Sequence, residues 1–191
     1  MPDIAVIDFG TRYIASIVKI LKDLDISFVV LSPTVKSSHL SSLKVKGIIL
    51  SGSKSSVLNK NSPKMDKTLF SLGVPILGIC YGHQLLACLI GGKVRKNVKG
   101  KEVGFTEVKI KGKDVLFQGL NGKEKFWMRH EDVVTELPSS AKILASSRLS
   151  PIAAFKFGNI YGVQFHPEVK TKAGRIVIEN FIKNVCKIKK G

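Results

Sequence analysis

The residues best suited to chemistry lie in Gly78-Ile79-Cys80-Tyr81-Gly82-His83-Gln84. Gly-x-Cys-x-Gly is the cysteine form of the Gly-x-Ser-x-Gly elbow, a tight strand-to-helix turn that holds a nucleophile in a strained, exposed position. The helix that follows would stabilise a thiolate through its free N–H groups and its dipole. Such a cysteine needs a base to take its proton and later hand it to a leaving amine. A second stretch, Ile160-Tyr161-Gly162-Val163-Gln164-Phe165-His166-Pro167-Glu168, supplies one. His166 fits the base, and Glu168, two residues on, fits the acceptor that orients the imidazole. An unpaired cysteine is commonly just a small buried hydrophobe, and a lone histidine is commonly structural. A cysteine elbow and a His-x-Glu, each closing an apolar strand, are harder to dismiss together.

The surrounding elements must bring these two stretches into contact. Residues 74–79 have the length and types of a buried strand, and residues 84–90 suit a buried helix that stops at Gly91-Gly92. Earlier in the chain, residues 4–10 read as a first strand, followed by Tyr13, Ile14, Ile17, Val18 and Leu21 at helical spacing. Residues 27–31 and 47–52 are further strands, and residues 65–72 a short helix. Strands alternating with helices predict a parallel sheet covered on both faces. Ligands in such sheets bind at the carboxyl ends of strands, where Cys80 and the Ser51-Gly52-Ser53 turn both fall.

Between residues 92 and 159 the pattern changes to short β-rich segments at 103–110, 125–128, 133–137, 143–147 and 152–157. These read as strands of a mixed sheet that extends the core, plus hairpins. Ile176, Ile178, Phe181, Ile182 and Val185 mark an amphipathic closing helix, and residues 187–191 a frayed basic tail. The expected fold is α/β, an open, mostly parallel twisted sheet flanked by helices with a small additional β region, in one domain over residues 1–191.

Composition removes several classes of protein. A content of 44% hydrophobic and 24% charged residues is globular, which argues against wholesale disorder. No apolar run approaches the ~20 residues that cross a bilayer, and no signal-peptide pattern opens the chain. Cytoplasmic residence and no membrane association are the expectation. Cys80, Cys88 and Cys186 show no metal-ligand spacing, and an odd count fits reduced thiols. The formal charge of +17, from 31 basic against 14 acidic residues, raises nucleic-acid binding as the rival of a different class. The lysines are spread along the chain with no zinc module, RNA-recognition signature or long basic helix, so a solvated basic surface or one complementary to an acidic partner is favoured.

Gly-Ile-Cys-Tyr-Gly-His-Gln with Gly-Val-Gln-Phe-His-Pro-Glu resembles the class I (triad-type) glutamine amidotransferases, over nearly the whole chain and with a flavodoxin-like sheet. Within that family the chain looks most like the free-standing glutaminase subunits of GMP synthase. The resemblance implies hydrolysis of L-glutamine to glutamate and ammonia by Cys80, His166 and Glu168. It implies an oxyanion hole from the Tyr81 N–H and the Gly52-Ser53 turn. It also implies a substrate side made by Gln84, His130 and Asp132, with Arg129 available to a carboxylate. No metal or organic cofactor is implied in this chain; ATP and magnesium would bind a separate ATP-pyrophosphatase subunit that aminates XMP to GMP. The sequence departs from the family pattern at Ser53 (usually glycine), Lys54 (often proline), Arg129 (usually small and polar), Arg12 (usually glutamine) and Val103 (usually aromatic). If position 53 needs a positive φ, serine there is strained by roughly 1–3 kcal/mol, or the turn rests in an inactive form. Service to another synthase (carbamoyl phosphate, anthranilate or aminodeoxychorismate) and a non-catalytic regulatory role remain open at this point.

Overall fold

The computed structural model describes residues 1–189; Lys190 and Gly191, the end of the expected basic tail, lie outside the described residues. One nine-stranded sheet organises the molecule. Its first half is parallel and places β2 (Phe28–Leu31), β1 (Ile4–Ile7), β3 (Gly47–Leu50), β4 (Ile76–Ile79) and β11 (Ile160–Val163) side by side in that order. Its second half is antiparallel and continues through β10 (Ala154–Phe157), β9 (Lys142–Ser147), β6 (Glu102–Ile110) and β7 (Lys123–His130). A separate two-stranded ribbon pairs β5 (Lys93–Lys96) with β8 (Asp132–Glu136). The expected sheet and small β region are both present.

The inner parallel strands β1, β3, β4 and β11 are apolar on both faces because both faces are covered, whereas the edge strand β2 is partly exposed. Along β1, Ile4 and Val6 join one core and Ala5 and Ile7 the other, as the two-residue strand period requires. The first core packs under α1 (Ile14–Asp23) and α4 (Lys172–Asn180), through Ile17, Leu21, Val177 and Ile178. The second packs under α2 (Ser37–Leu43) and α3 (Tyr81–Leu89), through Leu40, Leu85 and Leu86. The short helix expected at 65–72 is a 3-10 turn over Lys67–Leu72, capped by the Asp66 carboxylate on the Thr68 N–H and closed by Gly73 at φ 69°. The closing helix also runs past α4 into a wider turn at Phe181–Val185.

The antiparallel half curls back. β7 is the last strand of the sheet, yet the Trp127 carbonyl accepts the His166 N–H at 2.8 Å just beyond β11. That return brings the far edge of the sheet over the carboxyl ends of the parallel strands.

Candidate active site

Cys80 sits where β4 turns into α3, with φ 51° and ψ −97°. A non-glycine residue there carries strain on the order of 1–3 kcal/mol, which the neighbouring packing must hold. Its N–H donates to the Val163 carbonyl at 2.8 Å and its carbonyl accepts the Gln84 N–H at 3.1 Å. The flanking glycines are required by space. A Cβ at Gly78 would lie 2.5 Å from the Gly82 carbonyl carbon and oxygen; one at Gly82 would lie 2.7 Å from the Leu50 oxygen. The helix start is therefore pressed against both β4 and β3, with Cys80 thrust out at the junction.

The other parts arrive at the same place from neighbouring strands. His166 follows β11, and its Nδ1 lies 2.8 Å from Glu168 Oε1. Glu168 is buried, and its Oε2 has no partner among the described residues. Gly52 follows β3, and a Cβ there would meet His166 Cε1 at 3.1 Å and Cys80 Cβ at 3.7 Å. Nucleophile, base and turn thus converge on one point, and glycine at 52 leaves it open. Burial opposes a charge on His166, but the Cys80 sulfur and then the Glu168 carboxylate, whose Oε1 is hydrogen-bonded to Nδ1, hold it well above its ordinary value.

The turn answers the question about Ser53. Neither Gly52 nor Ser53 has a positive φ, so serine at 53 carries none of the expected left-handed strain. Among the described residues, the N–H groups of Gly52, Ser53 and Tyr81 engage no backbone acceptor outside the regular elements. The Tyr81 hydroxyl is anchored on the Pro63 carbonyl, which fixes the first turn of α3.

A cavity of about 320 Å³ opens beside Cys80, lined by Tyr81, Gln84, Arg129, His130 and Asp132 among others. The expected substrate residues are therefore gathered around one cavity. His130 turns both nitrogens to protein acceptors, Nδ1 to the Asp132 carbonyl at 3.1 Å and Nε2 to Glu102 Oε2 at 2.9 Å, so it braces Asp132 instead of offering a bond to a ligand. Arg129 lies on the outward row of β7, exposed at the rim; its backbone carbonyl, not its guanidinium, lies 3.7 Å from Cys80 Sγ. The Gln84 amide nitrogen is already spent on the Asp132 carbonyl at 2.8 Å and on Gln164 Oε1 at 3.1 Å. Asp132 lines the cavity, with one carboxylate oxygen accepting a hydrogen bond from the Ser56 hydroxyl.

Three residues of this site escaped the sequence reading of roles. Gln164 is fully buried, and its amide nitrogen lies 3.7 Å from Cys80 Sγ. Ser56 sits in what reads as ordinary loop composition. Glu102 accepts the Ser147 hydroxyl at 2.9 Å besides facing His130. Burial pushes the Glu102 carboxyl up, but the hydrogen bonds from His130 and Ser147 outweigh it and hold the group below the usual carboxylate range. Only Gln164 had a usable signal, a polar amide in the middle of an otherwise apolar strand end.

Known proteins resemble the chain over nearly its whole length. The family model for glutamine amidotransferase class-I matches residues 5–185. A GMP synthase [glutamine-hydrolyzing] of Pyrobaculum aerophilum is 42% identical over 98% of this chain, and one of Caldicellulosiruptor saccharolyticus is 41% identical over 96%. The chain spans only 37% and 36% of those two relatives' lengths. A solved structure from Thermoplasma acidophilum, provisionally described as a subunit of GMP synthase, superposes with a TM-score of 0.81 at 32% identity, covering 98% of this chain and 94% of that one. A glutamine amidotransferase from Thermotoga maritima shares the fold at a TM-score of 0.73 and 22% identity, over 96% of this chain and 84% of that one. With the family model running from β1 to the closing helix, the chain belongs to the class-I glutamine amidotransferases.

Proposed function

We propose that this chain is the glutaminase of a GMP synthase, hydrolysing L-glutamine to glutamate and ammonia with Cys80, His166 and Glu168. The observation that carries the reading is the convergence of a strained Cys80 and a Glu168-bound His166 on the open point at Gly52. His166 takes the thiol proton, and the sulfur attacks the carboxamide carbon of glutamine. The oxyanion is met by the N–H groups of Tyr81 and of the Gly52-Ser53 turn. The tetrahedral adduct collapses as His166 returns its proton to nitrogen, so ammonia leaves and a glutamyl thioester remains on Cys80. Water then adds to the thioester with His166 as base, releasing glutamate and restoring the thiol. Glu168 keeps the imidazole oriented and balances its charge throughout.

Asp132 is the group suited to the substrate ammonium, with Ser56 and His130 fixing its position. Gln84 offers its remaining carbonyl oxygen. Gln164 donates its amide N–H toward the sulfur when the sulfur is negative, which makes it a positioning residue for the nucleophile. The similarity to GMP synthases supports an ATP-pyrophosphatase as the consumer of ammonia, with ATP, magnesium and XMP bound there. No helix of the described residues is long and apolar enough to cross a membrane, and we place the reaction in the cytoplasm. The test is glutamate release from glutamine, with and without the organism's ATP-pyrophosphatase, ATP, magnesium and XMP. Stimulation by XMP with GMP formed is expected; turnover indifferent to XMP would assign the chain to another synthase.

A further inference from the structure

The outer side of the β6–β7 hairpin is dressed differently from the rest of the surface. Side chains alternate along β7, so Phe126, Met128 and His130 point inward while Lys125, Trp127 and Arg129 point outward. Across the pair, Val103 stands opposite Arg129 and Phe105 opposite Trp127. Val103 is 57% and Phe105 55% exposed, and the Phe105 ring meets Trp127 edge-on with centroids 5.2 Å apart. A contiguous aromatic and branched patch left in water marks a surface that something covers.

This patch borders the reaction centre. Arg129 lines the glutamine cavity and also a second cavity of about 310 Å³, in which His166 is reached past Arg12, Tyr13, Ser53 and Lys54. Some surface cations near the hairpin have counter-charges, as Lys101 and Lys96 face Glu131 and Lys123 faces Glu107, whereas Lys109 and Lys125 on the hairpin itself have none among the described residues. Among the described residues, Arg12, Lys54 and Arg129 have none within 4.0 Å, although all three stand on one rim.

We infer that this rim, Val103, Phe105 and Trp127 with Arg12, Lys54 and Arg129, is a docking surface for an acidic protein face, that of the ATP-pyrophosphatase which consumes the ammonia. The inference rests on the function proposed above and adds where that partner binds and by what chemistry. Unpaired cations select carboxylates, and the apolar trio supplies area to desolvate at the centre of the contact. A protein seated there covers the opening on the His166 side, so ammonia released at Cys80 is shielded from bulk water. The same strand carries the contact inward. The Trp127 carbonyl holds the His166 N–H at 2.8 Å and the Arg129 carbonyl lies 3.7 Å from Cys80 Sγ, so pressure on the outer face of β7 bears on both base and nucleophile.

The test measures binding of the ATP-pyrophosphatase to this chain by titration calorimetry, and glutamate release with and without it. Phe105→Ser and Arg12→Glu each change an exposed side chain outside the catalytic set, so basal glutamate release and the circular dichroism spectrum are expected to be unchanged. Binding is expected to weaken about tenfold or more in each, as for central contacts of an interface, and stimulation to fall with it. Binding of the wild type is expected to weaken as salt rises, and less steeply for Arg12→Glu. Val30→Ser, at the opposite edge of the sheet, is the control with unchanged affinity. Wild-type affinity in both rim variants would overturn the surface while leaving the proposed function intact. No binding by the wild type would overturn both, and basal glutamate release would then show whether the chemistry alone survives. Salt-sensitive binding of a single-stranded RNA oligonucleotide, lost in Arg12→Glu, without ATP-pyrophosphatase binding, would overturn it in favour of nucleic acid.

Discussion

The two halves of the sheet contribute to the site in different ways. The parallel half carries the groups of the proposed bond-breaking chemistry, each at the carboxyl end of a strand buried on both faces: Gly52 after β3, Cys80 after β4, His166 after β11. The antiparallel half supplies Glu102 and His130, which brace Asp132 of the neighbouring β5–β8 ribbon beside the cavity, and the outward row of β7. Fixed, doubly buried strands hold a reacting geometry, because their ends cannot shift without disturbing two cores. Half-solvated strands alternate inward and outward residues, so one side can serve substrate while the other faces a partner.

That division predicts a separation of kinetic effects. In the parallel half, Glu168→Gln should lower kcat by roughly 10⁴-fold with KM little changed, as for loss of an orienting carboxylate. The pH behaviour has a definite sign. Because His166 is raised in the folded protein, its contribution to stability is complete below the ordinary imidazole value and is lost as pH rises through the elevated one. Glu168→Gln removes one of the two charges responsible, so the His166 midpoint seen by NMR should fall and the alkaline loss of stability should flatten. A kcat unchanged in this variant would break the comparison.

Next in size, Gly82→Ala forces a methyl into Leu50, a distance of 2.7 Å from its carbonyl oxygen. Overpacking of this kind should cost about 2–3 kcal/mol in denaturant melts and take activity with it through the elbow. In the β5–β8 ribbon braced by the antiparallel half, Asp132→Asn should raise KM for glutamine roughly 10–100-fold with a smaller change in kcat, the signature of lost binding. The opposite split would show that Asp132 belongs with the chemistry. Smallest is the effect of Glu102, whose carboxyl is held low; its contribution is present above the ordinary carboxylate value and is lost as pH falls through the folded value. Glu102→Gln should make the acid limb of a stability profile shallower, measurable by thermal melts at successive pH values.

How much was legible in the sequence follows the same line. The parallel half declares itself, since apolar strands, helical spacing and the two motifs each have a local signal. Its one missed helix, α2, is Ser-Ser-His-Leu-Ser-Ser-Leu, whose only fully buried anchor is Leu40. In the antiparallel half the strands were legible but their consequences were not. β5 is Lys-Val-Arg-Lys, a strand in which Val94 alone is buried, so charge hides it. That His130 spends both nitrogens on protein, or that Ser56 reaches Asp132 across 76 residues, depends on the sheet curling back, for which no short motif exists. Ser53 shows the limit from the other side: family pattern suggested strain, and the backbone at that residue has none.

Glutamine hydrolysis by this route requires a covalent intermediate at Cys80, and the most direct test is to trap it. Wild-type chain mixed with glutamine and quenched in acid should show, by peptide mass spectrometry, a glutamyl group on the Cys80 peptide that is absent from Cys80→Ala. Glutamate release should fall in that variant by roughly 10⁴-fold or more, with the fold unchanged. Glutamate formed at the wild-type rate by Cys80→Ala, or turnover with the label on Cys88 or Cys186, would contradict the route.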